Sequence, residues 1–304
     1  MENIIETFSV TKQYRKQKAV NSISISIEQG AIYGLIGRNG AGKTTLMKMI
    51  AGLSAPTDGD IAVFGMKGAE KNSVMSRIGA LIENPGLYPN MTAEENLKVK
   101  CCALGIRDKN LPAELMELVG LSDTGKKAAR KFSLGMKQRL AMAIALTGNP
   151  DILLLDEPTN GLDPQGIAEI RETILRLNRE KNITFIISSH ILDELSKIAT
   201  HYGIIHKGEL IEQLTREELS AKCSEHIELK TDSNQLACTV LDEMGIADYT
   251  AVDSETLHVF ANSDLCGDIS LRLAQKGIKV KEIAVKSEAL EEYYLKLTGG
   301  NENA

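Results

Sequence analysis

The clearest pattern in the chain is a strict alternation. In NSISISIEQG, Ile23, Ile25 and Ile27 alternate with Ser22, Ser24 and Ser26. β-Branched residues at period two predict a strand with one buried face, ended here by Gly30. AIYGLIG (31–37) is a second apolar stretch, and residues 1 to about 30 read as short strands. The period then changes. LMKMIAGL, just after a glycine-rich loop, has helical spacing. Thr92 with Glu95 three residues on is a capping-box pattern. Residues 92–149 are mostly helical in pattern, with breaks near Gly105, Gly120 and Gly125. DILLLDEP returns to a strand. DPQGIAEIRETILRLNREKN is amphipathic at helical period, with Asp163 as N-cap and Pro164 at the first position. ITFIISSH and HYGIIHKGELI close the series. Apolar strands alternating with helices predict an α/β fold with a mostly parallel sheet core. An antiparallel β subdomain at the start and a helical subdomain in the middle are attached to it.

The pattern shifts near Thr215. Beyond it the order is strand HIELKT, helix NQLACTVLDEMG, strands DYTAV and TLHVF, helix DISLRLAQKG and strand IKVKEIAV. This β-α-β-β-α-β order predicts a small α+β, ferredoxin-like domain. A last helix, SEALEEYYLKLTG, and a loose tail, GGNENA, follow. The expected domains are 1–215 and 216–304.

Composition narrows the class. Hydrophobic residues make up 43% and charged residues 25%, the balance of a soluble globular protein. A net charge of −6 gives no electrostatic case for nucleic acid. No run approaches the roughly 18 apolar residues of a membrane helix. MENIIETFSV lacks the positive start and apolar core of a signal peptide. The expectation is a cytoplasmic protein with no membrane span of its own. Cys101, Cys102, Cys223, Cys238 and Cys266 match no zinc or redox spacing and are expected as reduced thiols at packing positions.

Three segments carry candidate chemistry. GRNGAGKT (37–44) fits G-x-x-x-x-G-K-[ST] between a strand and a helix. Gly37, Gly40 and Gly42, with Arg38, Asn39 and Ala41 between them, let the backbone curl so that N–H groups and the helix start face phosphate. Lys43 can reach the β- and γ-phosphates, Thr44 can bind Mg²⁺, and Thr45 can touch the α-phosphate. ILLLDEP (152–158) ends a buried strand in Asp156, a costly place for a carboxylate unless it meets a cation or donors. Asp156 suits Mg²⁺ held through water, and Glu157, turned away from it, suits an attacking water. A salt-bridged acid pair is the bland alternative. In FSLGMKQR (132–139), Ser133 is an N-cap. Its hydroxyl, the Gly135 amide and the helix start make a second phosphate-binding surface, although the segment alone is equally a capped helix.

In this order the segments resemble the ATP-binding subunit of ABC transporters, over roughly residues 3–215. GRNGAGKT is similar to the Walker A motif, ILLLDE to Walker B, FSLGMKQR to the signature, NGLD (160–163) to the D-loop, and His190 in ISSH to the switch histidine. Tyr14 stands where that family places an adenine-stacking aromatic, with a strand-packing tyrosine as the alternative. The resemblance implies a P-loop NTPase fold, ATP and Mg²⁺ as cofactors, and a head-to-tail homodimer of ATP-binding domains. In it Ser133 and Gly135 act on the partner's ATP, Glu157 acts on water, His190 contacts the γ-phosphate and Asp163 links the two sites. It also implies a separate transmembrane permease, which holds the subunit at the inner face of the membrane.

The match has departures. Phe132, Leu134 and Met136 replace the usual Leu, Gly and Gln of the signature, and Glu83 replaces the Q-loop glutamine. Glu83 is expected to offer Mg²⁺ a charged oxygen. IGALIENPGLYPNMTAEENL and LEEYYLKLTGG resemble the exporters for bacitracin resistance or lantibiotic immunity. Other readings are an ABC ATPase of a sensing complex and a soluble ABC ATPase of DNA repair or translation. The latter usually carry two cassettes or a long coiled coil, and this chain has one cassette and no heptad run. Residues 216–304 read as an accessory or regulatory module, or as an appendage that only stabilises a dimer.

Overall fold

A computed structural model of the chain describes residues 2–83, 86–222, 225–287 and 290–298. The expectations on Cys223 and on the GGNENA tail fall outside the described residues. The chain divides into two compact units, Met1–Arg216 and Glu217–Ala304.

In the first unit β1 (Asn3–Tyr14), β2 (Gln17–Ile23) and β3 (Ser26–Glu28) precede β4 (Ile32–Ile36) and α1 (Lys43–Ile50). Next come β5 (Asp58–Val63) and β6 (Ile78–Leu81). The helical block is α2 (Ala93–Ala103), α3 (Leu111–Leu118) and α4 (Leu134–Leu146). The unit ends with β7 (Ile152–Asp156), α5 (Pro164–Lys181), β8 (Thr184–Ser189), α6 (Leu192–Ser196), β9 (His201–His206) and β10 (Glu209–Thr215).

The strands form two sheets. One is antiparallel, in the order β2-β1-β3, with β5 also pairing with β1. The other runs β10-β9-β4-β8-β7-β6 and is parallel except for the β9–β10 hairpin. In its centre Leu35 of β4 stands opposite Ser188 of β8. β4, β7 and β8 are buried along their whole length, as expected of parallel strands covered on both faces. One apolar core joins the two sheets through α1, which buries Leu46, Met47, Met49 and Ile50.

The Ile–Ser alternation is not one strand. Ile23, Ile25 and Ile27 are all buried, but the chain breaks between β2 and β3, and Ser22 sits at φ 53. The cause lies on β1. The Thr7 hydroxyl donates to Ile23 O at 3.0 Å and accepts from Ile25 N at 2.9 Å, so a side chain takes up two backbone groups at the break, beside the backbone bond from Thr7 N to Ile25 O at 2.9 Å. Helix ends follow their side chains. Thr92 and Glu95 form a complete capping box on α2, and Asp163 caps α5 by accepting from Gly166 N. Asn182, left-handed at φ 52, stops α5.

The second unit contains α7 (Arg216–Lys222), which begins at the boundary, β11 (Glu225–Thr231), α8 (Asn234–Glu243), β12 (Tyr249–Ala251), β13 (Thr256–Val259), α9 (Cys266–Gln275), β14 (Val280–Ser287) and α10 (Leu290–Leu297). Its antiparallel sheet runs β12-β13-β11-β14, the strand order of a split β-α-β module. Ile227, Leu229, Leu257 and Val259 share one buried cluster with Val240 and Leu241 of α8 and Leu273 of α9. Glu228 alternates with Ile227 and Leu229 on β11. It accepts from Lys286 at 2.8 Å, which holds its carboxyl below the usual range.

Candidate functional site

The chain leaves β4 at Gly37 and enters α1 at Lys43, turning through a loop squeezed from two sides. A Cβ on Gly37 would stand 2.5 Å from Ile205 O. Gly42 is at φ 110, and a Cβ there would stand 2.5 Å from Ala19 O. Only glycine satisfies both constraints. The β9–β10 turn secures the loop, because Gly208 N donates to Ala41 O at 2.9 Å while Asn21 N donates to Gly208 O at 2.7 Å.

A cleft of about 570 Å³ opens over this loop. Arg38, Asn39, Gly40, Ala41, Gly42, Lys43, Thr44 and Thr45 line it, together with Tyr14, Lys18, Glu157 and Lys207. Tyr14 ends β1 with its side chain half exposed to the cleft, so it is not part of the core. Lys43 is 5% exposed. Its ammonium donates to Gly37 O at 2.6 Å and pairs with Glu157 Oε1 at 3.1 Å. The Thr44 hydroxyl donates to Asp156 Oδ2 at 2.8 Å.

Glu157 follows β7 at φ 50, so its side chain diverges from that of Asp156. Its other oxygen, Oε2, lies 2.6 Å from His190 Nδ1. A carboxylate only accepts, so Nδ1 carries the hydrogen. Three separate segments thus converge here, namely the start of α1, the end of β7 and the residue after β8.

Ser133, Gly135 and Asp163 lie elsewhere. They line a second cavity of about 470 Å³ that shares no residue with the first. Ser133 Oγ accepts from Met136 N at the start of α4. Glu83 belongs to neither cavity. It stands at φ 63 just past β6, 61% exposed, and its Oε1 pairs with Lys48 Nζ of α1 at 2.5 Å. In this arrangement the Glu83 carboxylate is paired with Lys48, while Asp156 is paired with Thr44. Ser188, bonded to both Asp156 and Glu157, had no signal in the sequence beyond a serine in an apolar strand.

Mg²⁺ fits the donor set. Thr44 and Asp156 supply two hard oxygens beside a phosphate-binding loop, and this ion takes few protein ligands and completes its shell with water and phosphate. Among the described residues no group of three or more His, Cys, Asp or Glu is placed to hold a metal alone.

An anion-binding loop at a helix start, a buried lysine, and a hydroxyl beside a buried carboxylate define a P-loop nucleoside triphosphatase. The ABC transporter family model matches residues 20–160. The chain is 43% identical over 302 residues to the bacitracin transport ATP-binding protein BcrA of Bacillus licheniformis, covering 99% of each. It is 42% identical over 203 residues to the lantibiotic transport ATP-binding protein SrtF of Streptococcus pyogenes, covering 67% of this chain and 87% of the other. A solved ATP-binding cassette of an ABC transporter in its ADP conformation matches with a TM-score of 0.65 at 25% identity, covering 72% of this chain and 93% of that one. The chain belongs to the ABC transporter family. It is an ATP-binding subunit and an ATPase.

Proposed function

We propose that the protein drives export of a peptide antibiotic of the bacitracin or lantibiotic class, and so confers resistance. The bacitracin side is favoured, because that relative matches 99% of the chain whereas the lantibiotic relative matches 67%. Among the described residues no helix is long and apolar enough to cross a membrane. The transport relatives support a separate permease, with this subunit bound at its cytoplasmic face.

The observation that carries the mechanism is the chain of contacts at the cleft, where Glu157 pairs with Lys43 and His190 while Thr44 holds Asp156 just behind the lining. The loop amides and Lys43 bind the phosphates. Thr44 and Asp156 would hold Mg²⁺, which would neutralise charge at the phosphates. Phosphate competes with Glu157 for Lys43. Glu157, once released, accepts the proton of the attacking water, and His190 reaches the γ-phosphate. The second cavity, with Ser133, Gly135 and Asp163, covers the partner's nucleotide in a head-to-tail homodimer. Tyr14 stacks on the adenine.

Glu83 stays on the α1 face that carries Thr44, because Lys48 is four residues on. Its role is to offer the metal an oxygen and to couple nucleotide state to the helical block. If Glu83→Gln and Glu83→Ala both hydrolyse and export like wild type, Glu83 is a loop residue only. The second unit serves as an accessory or regulatory module.

The test of function is expression with the permease in a bacitracin-sensitive host. The wild type raises the bacitracin concentration that stops growth, and Lys43→Ala does not. Equal protection by both chains would sink the reading. A reporter response without efflux would turn it into a sensing complex.

A further inference from the structure

We propose that Ser188 is a positioning residue, one that sets both the metal-holding carboxylate and the catalytic carboxylate from behind. The inference rests on the ATPase reading of the cleft. Ser188 lies on β8, is fully buried and does not line the cleft. Its hydroxyl donates to Asp156 Oδ1 at 2.6 Å and accepts from Glu157 N at 2.9 Å.

A hydroxyl has one hydrogen and two lone pairs, an ionised carboxylate only accepts, and a backbone N–H only donates. One serine oxygen therefore serves both neighbours at once. Thr44 holds the other oxygen of Asp156, Oδ2, at 2.8 Å. With both oxygens held, the plane of the Asp156 carboxylate is fixed, while Thr44 keeps its lone pairs for a cation.

The second bond acts on the backbone. Glu157 is at φ 50, a region that residues with a Cβ seldom occupy. That turn carries its side chain from the strand toward Lys43 and His190. The bond from Glu157 N to Ser188 Oγ, with a second to Ser188 O at 3.2 Å, ties the turn to β8. The neighbour, Ser189, bonds to Ile191 instead.

The test uses the full chain loaded with ADP and titrated with Mn²⁺, followed by electron paramagnetic resonance. Ser188→Ala is expected to weaken Mn²⁺ binding about tenfold or more, the usual loss when a partner of a metal-binding residue is removed. ADP affinity in EDTA stays within about twofold, and phosphate release falls in kcat rather than in KM. Ser188→Cys, close in shape with a weak donor, changes Mn²⁺ affinity in the same direction and replaces the alanine variant if that does not fold. Ser189→Ala leaves Mn²⁺ affinity unchanged. Unaltered Mn²⁺ affinity in a folded Ser188 variant overturns the proposal. So does an equal loss of metal-free ADP affinity, which marks a general packing defect. A wild-type chain that binds ADP without taking up Mn²⁺ overturns the reading of the cleft itself, and the inference with it.

Discussion

Replacing Glu157 by Gln removes a negative charge from between Lys43 and His190 and is expected to move binding and turnover in opposite directions. Lys43 is 5% exposed and Glu157 21%, so their 3.1 Å ion pair is only partly screened. A partly exposed ion pair of this kind contributes about 1 kcal/mol. Gln removes the negative charge, so the free protein loses about 1 kcal/mol of competition for Lys43. Phosphate binding should tighten about fivefold. Turnover should drop by about 10² to 10⁴, the usual contribution of a general base. Titration with a fluorescent ADP analogue in EDTA gives the first quantity, and phosphate release at saturating Mg-ATP gives the second. Turnover within about tenfold of wild type would remove Glu157 as the base. Weaker nucleotide binding would show that the Lys43–Glu157 pair does not compete with phosphate.

Three further outcomes follow from particular contacts. Lys43→Ala should cost at least about tenfold in nucleotide affinity in the same titration, and unchanged affinity would refute the phosphate contact. Tyr33 is fully buried and, among the described residues, its hydroxyl has no hydrogen-bond partner, so Tyr33→Phe should stabilise the fold by about 1 kcal/mol in urea unfolding. A lower urea midpoint would reveal a hidden partner. Thr92→Ala should cost about 1 kcal/mol through loss of the α2 cap. The Thr92 amide, donating to Glu95, holds that carboxyl below its usual range, so the stabilisation is present above the unfolded pKa. It is lost as pH falls through the lower folded value, and the gap between wild type and Glu95→Ala, which removes that carboxylate, should narrow in acid.

The chain announces what depends on neighbours in sequence. The glycine loop, the Thr92–Glu95 box, the Asp163 cap and the apolar strands are local chemistry, and local residues specify them. It is silent where a distant strand decides. Nothing in NSISISIEQG tells of a break, because the hydroxyl that fills it belongs to Thr7 on another strand. Nothing in ITFIISSH singles out Ser188, whose partners arrive only when β7 pairs with β8. Glu83 is similar. Its position past β6 is legible, but its contact with Lys48 depends on how β6 and α1 meet.

The register of the central sheet also has a consequence for how the protein is made. Leu35 of β4 cannot meet Ser188 until the chain has grown by roughly 150 residues, which at typical synthesis rates takes about 8 to 30 s. The partners of β1, by contrast, are β2, β3 and β5, all complete by Val63. The antiparallel sheet can therefore close early, while IYGLI, apolar on both faces, waits in solvent beside an unfinished phosphate loop. During that interval an unpaired apolar strand is open to aggregation. ATP can stabilise the fold only after the last strands of the sheet have been synthesised.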